Sequence, residues 1–287
     1  MDDGSAHLDR FVPMQDGIRL HVRDHHAGAD GGVPVLCLPG LTRNVKDFDA
    51  MVAALGPDRR IVCVSLRGRG QSDRDPDMAH YVAPTYVRDV IDVLGALGIA
   101  RAVFVGTSLG GIVTMLSAAT KPDMVAGAVL NDIGPVVDEA GLQRIRSYAG
   151  LQGPEPDWDH AAATVQRINA GQFPGFGAAD WQAMARRTYV PAHAGDGVVP
   201  DYDPLIGEAM RAAPAAADLW PFFNALGPIP ALVIRGALSD ILSAETVAAM
   251  QAAKPDLKVA TVPGRGHAPL LDEPEAVRAI KDLLAGI

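Results

Sequence analysis

The sequence predicts an α/β fold in which a mostly parallel sheet is covered by helices on both faces. Short continuous apolar runs recur along the chain, among them 35–38 and 61–64, and they are separated by stretches whose apolar residues repeat at helical spacing. Length and composition set the scale: 287 residues, 48% hydrophobic and 21% charged, suffice for one large globular core carrying an insertion. A small scaffold held by disulfides or metal is excluded, as is a globally disordered chain.

In chain order, runs at 8–14 and 18–24 flank Asp16-Gly17 and give a hairpin signal. The run at 35–38 ends at Pro39-Gly40. Asn44 can cap a helix whose Phe48, Met51, Val52 and Leu55 share a face, stopped by Gly56-Pro57. After the run at 61–64 comes Arg67-Gly68-Arg69-Gly70, which resembles a phosphate loop only in its glycines. A helix over 85–97 carries Val87, Val90, Ile91, Leu94 and Leu97 on one stripe. The charge-free stretch 102–120 is nearly long enough to span a bilayer, but its glycines and hydroxyl residues fit a buried strand, a tight turn and a buried helix better. Strands at 125–130, 231–235 and 257–262 complete the set, and a last helix starts near Pro274 with Asp272 and Glu273 at its positive end. Between 135 and 225 the rhythm breaks: this stretch holds Trp158, Trp181 and Trp220 and helix-like pieces at 141–148, 161–170 and 180–187. The expected organisation is a core of 1–134 and 226–287 with a mainly helical insertion at 135–225.

A net charge of -9 with no basic run makes nucleic acid and membrane surfaces poor partners. The acidic start, Met1-Asp2-Asp3, is unlike a secretory signal and points to the cytoplasm. Cys37 and Cys63 sit within apolar runs and read as inert core thiols.

Chemistry concentrates at Gly106-Thr107-Ser108-Leu109-Gly110, a G-x-S-x-G pattern between an apolar strand and a helix. That context holds a serine hydroxyl on a tight turn above the carboxyl edge of a sheet. A serine needs a base to accept its proton and a third group to orient that base. His267, in Gly264-Arg265-Gly266-His267 after a late strand, has the required place in the order; His160 and His193 are the other candidates. Asp240, a few residues beyond the preceding strand, is the expected acid. Asp132, at another strand end, is its rival and reads otherwise as a hinge into the insertion. A developing oxyanion needs donors, for which the backbone N–H groups of Leu109 and Leu41 are the candidates. No ligand spacing implies a metal, and no nucleotide-binding glycine pattern implies a cofactor. Arg43 beside the Leu41 loop reads as a solvated side chain or as a carboxylate binder.

Taken together, Gly-Thr-Ser-Leu-Gly-Gly at 106–111, Arg-Gly-Arg-Gly-Gln-Ser-Asp at 67–73, Asp240 and Gly266-His267 resemble the α/β-hydrolase superfamily, in its compact bacterial type of serine esterases, lactonases and carbon–carbon hydrolases with a helical cap. The resemblance implies an eight-stranded, mostly parallel sheet with an antiparallel second strand, a cap inserted between strands 6 and 7, and acyl-enzyme chemistry. Two departures stand out. Pro39-Gly40 replaces the His-Gly common before the oxyanion residue, removing that histidine's support, and Ser65-Leu66 replaces an acidic residue ahead of Arg67. A serine at 108 also sets the chain apart from haloalkane dehalogenases, which carry Asp there. The expectation is a cofactor-free hydrolase of small carboxylic esters or lactones, monomeric or homodimeric, using Ser108, His267 and Asp240, with an apolar pocket supplied by the aromatic insertion. Carbon–carbon bond hydrolysis or thioester hydrolysis by the same residues, and a ligand receptor on the same fold, are the alternatives.

Overall fold

The computed structural model describes residues 7–193, 195–213 and 218–287. The acidic start read at the amino terminus lies outside them. Strands β1 (His7–Pro13) and β2 (Arg19–His25) pair antiparallel across the Asp16-Gly17 turn, where Gly17 takes a φ of 87° that favours glycine. With β3 (Val35–Leu38), β4 (Ile61–Val64), β5 (Ala102–Thr107) and β6 (Val125–Asn131) the sheet continues in the order β1-β2-β4-β3-β5-β6. Beyond β6 it is completed by the strands that follow the insertion. Among the described strands of this sheet, β2 alone runs opposite to the rest.

All residues of β3 and β4 are buried, because side chains alternate between two covered faces. Val35, Cys37, Ile61, Cys63, Val103 and Val105 pack with Met51 and Val52 of α1 (Asp49–Leu55). Leu36, Leu38, Val62, Val64 and Phe104 pack with α2 (Ala83–Ala96) and α3 (Leu109–Thr120). Asn44 caps as expected, accepting the Lys46 N–H, although the first turn is a tighter 3-10 helix over Val45–Phe48. Cys37 and Cys63 face each other in register on β3 and β4, buried and unbridged. The charge-free stretch divides between β5 and α3, and among the described residues no helix is long and apolar enough to cross a membrane.

The insertion leaves from the end of β6. It contains α4 (Glu139–Arg146), α5 (Trp158–Asn169), α6 (Ala178–Thr188), β7 (Tyr189–Pro191), β8 (Val198–Pro200), α7 (Leu205–Ala212) and α8 (Trp220–Asn224). The antiparallel β7–β8 pair and the last two helices were not expected; three-residue strands are too short to show a period. Ala161, Val165, Phe173, Trp181, Met184 and Tyr189 give the insertion an apolar cluster of its own. The chain then returns through β9 (Ala231–Gly236), α9 (Ala244–Ala253), β10 (Lys258–Val262) and α10 (Pro274–Leu284), placing β9 beside β6 and β10 at the edge.

Arg67 shows what the arginine-glycine loop does. Its buried guanidinium donates to Asp89 (2.8 and 2.6 Å), Asp75 (2.6 Å) and Asp16 (2.8 Å), joining the first hairpin and α2 to the end of β4. A buried charge is tolerable only with such partners.

A second buried group has none. Neither ring nitrogen of His25 has a hydrogen-bond partner among the described residues, and burial, reinforced by His7, Arg23 and His26, pushes its pKa from 6.5 down to about 4. The folded state therefore refuses a proton that the unfolded chain takes up near pH 6.5. This contribution to stability is complete above that pH and is lost as the pH falls towards 4. We expect the melting temperature to fall across this window and His25→Phe to flatten the fall, as measured by thermal unfolding at stepped pH. An unchanged slope would rule out His25 as its source.

Candidate active site

Ser108 is delivered by the turn from β5 into α3. Its φ of 51° is one that side chains rarely adopt, so the hydroxyl sits on a strained turn. The surrounding glycines are there for space. A Cβ on Gly106 would lie 2.3 Å from the Gly110 backbone, and one on Gly110 would lie 2.0 Å from the Leu38 carbonyl oxygen. Without them α3 could not start directly against β5 and β3.

His267 stands on the loop after β10, with its Nε2 3.0 Å from Ser108 Oγ. Its Nδ1 lies 2.8 Å from Oδ2 of Asp132, the residue just after β6, which has a φ of 58°. Asp132 is fully buried. The Gly236 N–H donates to its Oδ1 (2.8 Å) and the Ser239 hydroxyl to its Oδ2 (2.6 Å). With Nδ1–H donating to the carboxylate, Nε2 is left free to accept the proton of Ser108. Carboxylate, imidazole and hydroxyl thus form one continuous row.

Asp240, the expected acid, is not part of that row. Arg144 of α4 takes both of its oxygens (2.6 and 2.9 Å), and Gln172 Nε2 donates to Oδ2 (3.2 Å). Burial pushes the Asp240 pKa up, but the hydrogen bonds and charge of Arg144 outweigh it and hold the carboxyl below its usual range. The reason for the difference is topological. β6 is the immediate neighbour of β5, so the residue at its carboxyl end falls next to Ser108, whereas Asp240 lies beyond β9, one strand further out. From that second loop it is Ser239 that reaches inwards, to Asp132. His160 and His193 are exposed on the insertion, and His160 pairs with Asp157.

Leu109 is the first residue of α3, so its N–H belongs to the unpaired amino end of that helix. Leu41 lies on the 40–43 loop beside Ser108. The Arg43 N–H donates to the Gly40 carbonyl (3.2 Å), and Nε of buried Arg69 donates to the Leu41 carbonyl (2.6 Å), so both peptide planes flanking Leu41 are fixed. Arg69 thus supports this loop, which lacks the histidine common before the oxyanion residue.

A cavity of about 110 Å³ opens at Ser108 and His267, bounded by Leu41, Tyr148, Phe173 and Thr188 among others. None of the three tryptophans lines it, contrary to expectation; Trp181 is buried in the insertion's own cluster. Arg43 does line it, half-buried, with its guanidinium gripped by Asp47 (2.7 and 2.6 Å) and donating to Thr188 (3.2 Å), so its charge is already paired within the protein. Gln152 also lines the cavity, and its buried Oε1 has no hydrogen-bond partner among the described residues. The one group of potential metal ligands among the described residues, Asp16, Asp75 and His80, is already bonded through both carboxylates to Arg67.

A strand–serine–helix turn, facing a histidine backed by a buried acid on a mostly parallel sheet, defines the hydrolase class of this fold. The profile of the alpha/beta hydrolase family matches residues 35–280, and the chain belongs to that family. It is 34% identical to a 3-hydroxybutyrate-oligomer hydrolase of Cupriavidus necator, over 96% of this chain and 97% of that one. It is 30% identical to a 2-(acetamidomethylene)succinate hydrolase of Mesorhizobium japonicum, over 87% and 85%. Its structure superposes with a TM-score of 0.92 on an alpha/beta hydrolase from Novosphingobium aromaticivorans, at 44% identity, covering 98% of this chain and 99% of that one.

Proposed function

We propose that the protein is a serine hydrolase of short-chain carboxylic esters, working through an acyl-enzyme on Ser108, His267 and Asp132. The observation that carries this reading is the unbroken hydrogen-bonded row from Asp132 through His267 to Ser108. Ser108 Oγ attacks the ester carbonyl as His267 Nε2 takes its proton, and Asp132 stabilises the imidazolium that forms. The oxyanion is met by the N–H groups of Leu41 and Leu109. His267 then protonates the departing alcohol, and a water activated by the same imidazole releases the acid. The segment 135–225 serves as a cap that shapes the acyl site.

Two features narrow the substrate. The cavity of about 110 Å³ has room for an acyl group of about four carbons, judged against benzene-sized cavities. Its wall includes Gln152, whose polar side chain suits a hydroxyl on the acyl group better than it suits a plain alkyl chain. The 3-hydroxybutyrate-oligomer hydrolase relative supports the same reading, since oligomers of a hydroxy acid are joined by ester bonds. In a series of p-nitrophenyl esters we expect kcat/KM to be highest for two to four acyl carbons and to fall at least about tenfold by eight carbons. The 3-hydroxybutyryl ester should exceed the butyryl ester by about tenfold, the worth of one well-made hydrogen bond. A preference for long chains would contradict the short-acyl assignment, and absence of turnover for every ester by folded protein would contradict the activity.

A further inference from the structure

The loop that carries His267 is held by the insertion at the residue that matters. Gln172, in the turn that follows α5, is buried, and its backbone carbonyl accepts the Gly266 N–H (2.7 Å) while its side-chain Oε1 accepts the His267 N–H (2.7 Å). Its Nε2 donates to Asp240 (3.2 Å), which Arg144 of α4 grips from the other side. The fit leaves no slack: a Cβ on Gly266 would lie 1.9 Å from Gln172 Oε1. The core holds the same loop at its two ends, where the Leu238 N–H donates to the Arg265 carbonyl (2.8 Å) and Asn131 Nδ2 to the Pro269 carbonyl (2.9 Å). Between those ends, the backbone N–H groups of Gly266 and His267 both go to Gln172.

We infer that Gln172 is a positioning residue for His267, and that Asp240 and Arg144 complete a clamp which makes the base competent only while the insertion is seated. This rests on His267 being the base of the hydrolysis proposed above. Asp132 sets the tautomer and orientation of the ring through Nδ1, and Gln172 sets the backbone from which the ring projects. The clamp also gives Asp240 a purpose: a carboxylate outside the reacting row fixes the amide that fixes the histidine. Displacement of the insertion removes the acceptor of the His267 N–H and the donor to Asp240 together, so seating of the insertion and activation of Ser108 occur as one event.

The test compares Gln172→Leu with Gln172→Glu in the full chain, using the butyryl ester, the rate of fluorophosphonate labelling of Ser108 and thermal unfolding. Gln172→Leu removes both side-chain bonds at similar size. We expect kcat to fall at least about tenfold, KM to stay within about threefold, and labelling to slow in proportion to kcat. Gln172→Glu restores an acceptor for the His267 N–H while losing the donor to Asp240, so it should recover part of the loss, with kcat at least about threefold above that of Gln172→Leu. The added carboxylate favours the imidazolium, so the acid limb of its kcat/KM profile should move to higher pH. A purely structural residue would lower the melting temperature in both variants without that limb shift or that split between kcat and KM, and such a result overturns the inference. Labelling of Gln172→Leu at the wild-type rate overturns it too. Wild type and Ser108→Ala run alongside separate the two levels: an unlabelled wild type defeats the triad itself, whereas a labelled wild type with an equally labelled Gln172→Leu defeats only the clamp.

Discussion

Replacing Asp132 with Asn is expected to lower kcat on a short ester by about 10⁴-fold while leaving the fold intact, the scale of loss seen when a triad imidazole is left in the wrong tautomer. The amide oxygen can still accept from the Gly236 N–H, and the Ser239 oxygen, which faces the other carboxylate oxygen, can accept from the new NH₂ group, so the loop geometry survives. What the amide then turns towards His267 Nδ1 is this NH₂ group. The imidazole must accept at Nδ1 and carry its proton on Nε2, where it can no longer take the proton of Ser108, which lies 3.0 Å away. The matched replacement Asp240→Asn keeps an acceptor for Arg144 and is expected to lower kcat no more than about tenfold, through a loosened clamp. Steady-state kinetics with circular dichroism on the two variants decides between them. Loss of similar size at Asp240 would return that residue to the role the sequence alone assigned it.

Ser108→Ala is expected to cost more, about 10⁶-fold in kcat, because without the nucleophile the remaining groups can assist only direct attack by water. KM should change little, since the cavity walls and the backbone donors at Leu41 and Leu109 remain. The fold should also be unaffected, as among the described residues the Ser108 hydroxyl hydrogen-bonds only to His267. Residual turnover within tenfold of wild type would contradict the assignment.

Much of this was legible in the residues. The apolar runs that became β3 and β4 could bury both faces only in a parallel sheet, and Gly106, Gly110 and Gly111 around Ser108 announced a strand and helix in close approach. His267 could be placed by its order in the chain and its position just past a strand. The acid could not. Asp132 and Asp240 both follow strands, and order along the chain does not distinguish them; the arrangement of β6 between β5 and β9 does. One local signal favoured Asp132: it directly follows a strand that is buried throughout, with no basic residue nearby in sequence to pair with it. Asp240 is neutralised by an arginine 96 residues away, which no local pattern reveals. Gln172 was missed for the same reason, since its partners at 240, 266 and 267 are brought to it only by the packing of the insertion on the core. The aromatic content of the insertion was read correctly only in part: Tyr148 and Phe173 line the cavity, whereas Trp181 serves that segment's own cluster.

The most direct measurement is intact-protein mass after brief exposure to a fluorophosphonate, taken on wild type, Ser108→Ala, Asp132→Asn and Asp240→Asn. One adduct forming rapidly on wild type and Asp240→Asn, slowly on Asp132→Asn and not at all on Ser108→Ala is the expected result. An adduct that persists in Ser108→Ala, or Asp240→Asn labelling as slowly as Asp132→Asn should, would contradict a nucleophile at Ser108 activated through His267 and Asp132.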